Sequence, residues 1–397
     1  MSLRSSRARS LRAAGLAGAL LTTVLAGCGS DDTSTASSSA DAGPIGDVDL
    51  AAAGCPDTVV LQTDWNPEAE HGGMYQMLGE DPQIDAGAKS VRGPLVDSAG
   101  DYTGVDLEVR SGGPAIGFQT VQAQMYTDES ITLGYANTDE AARTSADQPV
   151  VSVVAPLEIN PQIILWDPET YPDVETIADL GEAGAPVLYF EGSSYMAYLT
   201  GAGILSEEQI NGSYDGTPSA FVAAGGEAAQ QAFASSEPHI YAEELPAWNK
   251  EVGFQLLDDA GYPIYASALA VRQADLEPLS GCLTELVPVI QQAQIDYVQD
   301  PAAVNELILE LVDEYDTGWT YSADVAEFSV QQQLELGLVG NGDDDTLGNF
   351  DLDRVQQVID IVEPIFAEQG TPVADGLTAE DLVTNQFIDP AIGLPAS

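Results

Sequence analysis

Histidine and lysine are nearly missing from this 397-residue chain, and each shortage removes a class of function. His71 and His239 are the only histidines, too few for a multi-histidine metal centre. The cysteines, Cys28, Cys55 and Cys282, stand far apart, so there is no C-x-x-C redox or zinc pair. Neither a G-x-S-x-G elbow nor a G-x-x-x-x-G-K-[ST] loop occurs, which leaves no motif for serine hydrolysis or nucleotide hydrolysis. The run Asp343-Asp344-Asp345 hints at a calcium loop, but Arg354 stands where the closing bidentate Glu belongs. Accordingly, no metal and no cofactor are expected. Lysine occurs only as Lys89 and Lys250, and 11 basic residues face 64 acidic ones, a net charge of −53. So acidic a surface repels phosphate backbones and excludes nucleic acid as a partner.

What is present begins at the N-terminus. Arg4, Arg7, Arg9 and Arg12 precede an apolar stretch over residues 13–25, and Leu25-Ala26-Gly27 lead into Cys28. A basic start, a short apolar run and small residues before a cleavage point make a secretory signal peptide. The run is shorter than the roughly 20 apolar residues of a spanning helix. Leu-Ala-Gly-Cys resembles the lipobox of bacterial lipoproteins. That resemblance implies a signal peptide over residues 1–27, a lipid on Cys28, and an extracytoplasmic protein anchored to the outer face of the cell membrane. Residues 28–55 are mostly Ser, Asp, Thr, Ala and Gly, too polar to enter a core, and are expected to form a flexible tether. Outside the cytoplasm, Cys55 and Cys282 are candidates for a disulfide, with two buried free thiols as the alternative.

The remainder reads as alternating strands and helices. Short apolar runs at 59–63, 105–110, 131–135 and 150–154 read as strands, with helices expected at 70–78, 115–125 and 138–145. After Pro156 a second unit follows, with runs at 162–166 and 187–190 and helices at 194–200, 206–210 and 219–223. Residues 238–241 read as strand or loop, and 254–257 and 264–271 as strands; helical patterns dominate from Cys282 onward. This rhythm predicts an α/β fold with mainly parallel sheets. Residues 56–155 and 267–397 are expected to form domain I, and residues 156–266 an inserted domain II. Two domains joined by two crossing segments make a hinged cleft suited to a small ligand.

The segment Asp64-Trp65-Asn66-Pro67-Glu68-Ala69-Glu70-His71-Gly72-Gly73-Met74-Tyr75 follows the first strand. Its pattern D-W-x-P-x-x-x-H-x-G-x-Y resembles the family shared by fungal thiamine-pyrimidine synthases and bacterial ABC solute-binding proteins for pyrimidine precursors. Ser111-Gly112-Gly113-Pro114, Ser236-Glu237-Pro238 and Thr384-Asn385-Gln386-Phe387-Ile388-Asp389 resemble later family segments in the same order. The resemblance implies a type II periplasmic-binding-protein fold that closes around one solute and delivers it to a membrane permease with its ATPase. It also implies a monomer. The synthase activity would require a cofactor-holding lysine and a cysteine-rich motif, and Lys89 and Lys250 match neither role. Riboflavin, sulfonates and nitrate, bound by distant relatives, remain alternative solutes, and a secreted enzyme or sensor lipoprotein remains an alternative function.

The binding residues follow from chemistry at these positions. Trp65 can stack on a flat ring, while Asp64 or Glu237 accepts bonds from an exocyclic amine and His71 bonds a ring nitrogen or hydroxyl. Gly112 and Gly113 offer backbone N–H groups at a helix start, as do Gly192, Ser193 and Ser194. Tyr195 is a candidate for the ligand's other face and Tyr135 for the cleft edge. Each has a structural alternative: core aromatic, satisfied histidine, plain turn or helix cap. Arg110 is the best partner for an anionic solute.

Overall fold

The computed structural model describes residues 43–342 and 344–395. The signal segment, Cys28, most of the tether and Asp343 lie outside them. No helix among the described residues is long and apolar enough to cross a membrane.

The strands, in chain order, are β1 (Thr58–Gln62), β2 (Gln83–Asp85), β3 (Ser90–Val96), β4 (Tyr102–Arg110), β5 (Leu133–Ala136), β6 (Val150–Val154), β7 (Gln162–Trp166), β8 (Val187–Leu188), β9 (Ile210–Asn211), β10 (Ala229–Phe233), β11 (Gly253–Leu256) and β12 (Ala268–Arg272). Seven form one sheet in the order β2-β3-β4-β1-β5-β12-β6, and five form a second in the order β11-β7-β10-β8-β9. The chain leaves the first sheet after β6, builds the whole second sheet, and returns as β12.

That route corrects the expectation of mainly parallel sheets. β1 runs parallel to β4 and β5, but β12 lies between β5 and β6 antiparallel to both. β2 and β3 extend the sheet as an antiparallel ribbon, and β7 is antiparallel to β10 and β11. Only a crossover that returns to the starting edge makes strands parallel. β12 arrives from the second sheet, so it has no such constraint.

β1 shows how sequence becomes packing. Val59 and Leu61 face one core, which includes Leu283, Leu286, Val287 and Ile290 of the helix Ser280–Gln299. Val60 faces the other core, where Val355, Ile359 and Val362 of the helix Leu352–Gln369 pack. The strand alternates with period two, and the helices present apolar residues three and four apart. A continuous apolar run is what a strand covered on both faces requires. The second core also takes in Ile164, Val187 and Tyr195 from the five-stranded side, so the lobes share apolar packing.

Cys55 and Cys282 are joined in a disulfide, with Cα atoms 4.6 Å apart and a sequence separation of 227. It fastens the segment before β1 to the first turn of the helix Ser280–Gln299. Gly72 meets the same helix: a Cβ there would lie 2.1 Å from the Tyr297 ring, so only glycine permits the approach. The His-Gly-Gly part of the motif is therefore a packing device.

Three local expectations give way. The helix expected over 115–125 is broken into a 3-10 turn at Gly113–Ile116 and a helix at Val121–Thr127, because Gly117 and Phe118 adopt left-handed φ and Thr120 caps a new start. Residues 207–209 form a turn that leads into β9, with Ser206 and Gln209 bonded to each other. Residues 237–244 are helical rather than extended.

Candidate functional site

A cavity of about 340 Å³ opens between the two sheets. It lies where the carboxyl ends of β1, β5 and β6 meet the entry to β12, the edge at which α/β sheets present ligand-binding loops. Asp64 and Trp65 come from the turn after β1, Asn137 and Glu140 from the turn and helix after β5, and Ser267 from the segment before β12. The five-stranded lobe contributes Asn160, Phe190, Tyr214, Gln231, Phe233 and Glu237.

Trp65 is held from three sides. Its ring sits 6.0 Å edge-on to Trp319 and 6.0 Å from Phe118. Behind it stands Gly113 at φ +54°, where an added Cβ would come within 2.7 Å of the indole. Trp319 in turn stacks on Tyr321, whose hydroxyl accepts from the Ala69 amide at 3.1 Å. Phe118 and Phe233 stay 69 % and 39 % exposed at the cavity lining, one from each lobe. Phe118 does so at φ +58°, a conformation costly for an aromatic residue outside a functional constraint.

Behind this wall is a charged relay. His71, 1 % exposed, places Nε2 at 2.9 Å from Asp64 Oδ1, and the Ser267 hydroxyl donates to Asp64 Oδ2 at 2.6 Å. Burial pushes the Asp64 carboxyl up, but the His71 bond and charge together with Ser267 outweigh it and hold Asp64 below its ordinary value. Ser267 is also tied to Asn137 through its amide. The link therefore joins the turn after β1 to the segment returning from the other sheet.

The other carboxyls move the opposite way. Glu68 is pushed well above the ordinary range by burial and then by the charges of Glu70, Asp64 and Glu237. Burial raises Glu237 too, although the Ser236 hydroxyl and Phe233 amide, both bonded to Oε2, draw it partly back. Glu140 is pushed up to about 8 by burial, Asp139 and Asp64, with Arg143 partly offsetting. Glu70 accepts a short hydrogen bond from Ser235, a contact from one lobe to the other.

A raised carboxyl has a defined effect on stability. Between the ordinary value of 4.5 and about 8, the native state keeps a Glu140 proton that the unfolded chain has lost. Stability from this group therefore falls as pH rises through that window. Glu140→Gln is expected to flatten the pH dependence of the urea midpoint between pH 5 and 8; a slope identical to wild type would contradict this.

The sequence-derived candidates separate into two groups. Asp64, Trp65 and Glu237 line the cavity. His71 does not; it stands behind Asp64, and its ring stacks on Tyr135 at 5.2 Å, which makes Tyr135 a buried support rather than a cleft edge. The Gly112 and Gly113 amides are consumed by Trp65 and Asp64 carbonyls at 2.8 and 2.9 Å, so they shape the turn and are not offered to a ligand. Gly192, Ser193 and Ser194 are outside the lining, and the Ser193 hydroxyl is spent on the Phe190 carbonyl. Tyr195 is core; its hydroxyl donates to Gln231 Oε1 at 2.7 Å and so positions a residue that does line the cavity. Arg110 is paired with Glu108 and Asp128, away from the cavity.

Several lining residues escape sequence reading. Glu68 and Glu70 sit inside the first motif, but at positions its pattern leaves open. Asn160 and Trp319 lie on connections, and Phe190 and Phe233 stand at or just past strand ends; only the tertiary fold brings the four together.

This arrangement, two α/β lobes with a cavity between them, is the periplasmic-binding-protein fold. The chain is similar to the alkanesulfonate-binding protein SsuA from Xanthomonas axonopodis pv. citri, solved bound to MOPS, at 14 % identity and a TM-score of 0.51, covering 83 % of this chain and 99 % of that one. It is also similar to the ligand-binding component of an ABC-type import system from Staphylococcus aureus, solved with zinc bound, at 11 % identity and a TM-score of 0.50, covering 83 % and 98 %. No protein-family model matches the chain, and no curated protein matches it.

Proposed function

We propose that this protein is the extracytoplasmic solute-binding component of an ABC importer, anchored through Cys28 and acting as a monomer. Residues 156–266 would move as a unit against the rest, closing over one small solute and presenting it to the permease. The observation that carries the reading is the cavity between the lobes, walled by aromatic side chains from both. Its volume of about 340 Å³ suits a molecule of one or two rings. Trp65 offers a face for stacking, and Asp64 and Glu237 offer acceptors for exocyclic amino groups. A flat aminated heterocycle, of which a thiamine-precursor pyrimidine is one example, fits that set.

Catalysis is disfavoured by the same geometry. His71 is 1 % exposed with Nε2 committed to Asp64, so the histidine nearest the cavity has no path to a substrate proton. Sulfonate or nitrate is also disfavoured, since no Lys or Arg lines the cavity among the described residues.

Thermal unfolding of the full-length protein against amino-pyrimidines, thiamine, riboflavin, purines, taurine and nitrate tests the reading. A true solute at about a hundred times its dissociation constant adds about 2.7 kcal/mol of stability. A shift for aminated heterocycles alone is the expected result. A protein indifferent to every compound would remove the heterocycle assignment.

A further inference from the structure

The cavity gathers Asp64, Glu68, Glu70, Glu140 and Glu237, with no Lys or Arg among the described residues lining it. Two basic side chains face this cluster from behind. His71 bonds Asp64 and comes within 3.8 Å of Glu68, while Arg143 acts on Glu140 from a position outside the lining. On the five-stranded lobe Glu237 meets only a hydroxyl and an amide. Among the described residues, Asp64 thus has a basic partner at hydrogen-bond distance, which none of the four glutamates has.

Two independent features show that the space is shaped for an occupant. Asn160, 2 % exposed, lines the cavity; its Oδ1 accepts from the Gln162 amide, while its Nδ2 is buried with no hydrogen-bond partner. A buried amide donor is not left unpaired without cost, and a ligand acceptor would satisfy it. The second feature is the aromatic lining, with Trp65, Trp319 and Phe118 on one side and Phe190, Tyr214 and Phe233 on the other. Aromatic faces attract cations, most strongly where water is excluded. Carboxylates and π-faces converging on one space have a single common preference.

We propose that the solute held in this cleft is a small organic cation, a compact ring or quaternary group carrying positive charge plus one hydrogen-bond acceptor for Asn160. The inference rests on the solute-binding reading and narrows its substrate class. A bound cation relieves the repulsion among the glutamates and draws their protons off, so binding of a permanent cation releases protons near neutral pH. Glu140, pushed up to about 8 in the empty cleft, is the group placed to release one in that range.

Matched probes test charge at constant shape. Calorimetric titration of the full-length protein would compare 1-methylnicotinamide with nicotinamide and nicotinate, and choline with 3,3-dimethylbutanol. The cation is expected to bind at least tenfold more tightly within each set that binds, with proton release visible between buffers of different ionisation heat. Glu237→Gln and Glu140→Gln together are expected to weaken the cation about tenfold and the neutral partner less than twofold. A neutral or anionic member that binds as tightly as its cation overturns the charge inference and leaves the solute-binding reading in place. Silence from every set overturns both.

Discussion

Trp65→Ala is expected to weaken solute binding by about tenfold to a hundredfold while leaving the fold intact. Stacking of a ring on an aromatic side chain contributes roughly 1–3 kcal/mol, and 1.4 kcal/mol is tenfold in affinity. The indole lines the cavity, partly exposed, and its neighbours Phe118 and Trp319 are themselves only partly covered. Removing it therefore opens the cleft wall more than it hollows the core, and the stability loss should stay below about 2 kcal/mol. Trp65→Phe should recover part of the affinity, because a smaller π-face survives. Equal affinities for wild type and alanine variant would eliminate stacking at this position. A variant that fails to fold would instead show that Trp65 serves the core.

Cys55→Ser is expected to give the largest loss of stability, with little change in ligand affinity. The disulfide closes a loop across 227 residues of sequence separation, and the chain-entropy model assigns such a loop about 5 kcal/mol. Measured bonds more often contribute about 2–4 kcal/mol, because denatured chains are not fully random. Mutation is a cleaner test than reduction, since Cys282 is 1 % exposed and reductant would reach it slowly. The bond sits at the amino end of the helix Ser280–Gln299, away from the cavity residues, so the denaturant midpoint should drop while titrations superimpose. An unchanged midpoint would mean that packing of the segment before β1 already restrains the chain.

The two lobes were legible where one local signal sufficed. β1, β6 and β7 are mostly apolar runs, and the long helices after Cys282 repeat their apolar residues at helical spacing. The ribbon of β2 and β3 was not legible, because Gln83–Asp85 is short and polar and Ser90–Val96 carries Gly93 and Pro94 within the strand. Strand direction was not legible either. Ala268–Arg272 reads the same whether it runs parallel or antiparallel, and only its arrival from the second sheet decides.

At the site, the residues found from sequence were those fixed by a turn next to a strand, Asp64 and Trp65, and Glu237 in its Glu-Pro pair. His71, Gly112 and Gly113, which the motif assigns to the ligand, instead hold Asp64 and Trp65 in place. Spacing identifies which residues gather near a strand end; it does not tell which of them face outward. The charge of the cleft was missed because Glu68 and Glu70 are two acidic residues among 64, and only burial together makes them distinctive.

The cleft is tested most directly by titrating wild-type and Trp65→Ala protein, in parallel, with whichever compound gives the largest thermal shift. One saturable site per chain, strongly weakened by the substitution, is the expected result. Saturation that survives Trp65→Ala unchanged would place the solute elsewhere and contradict a binding site between the lobes.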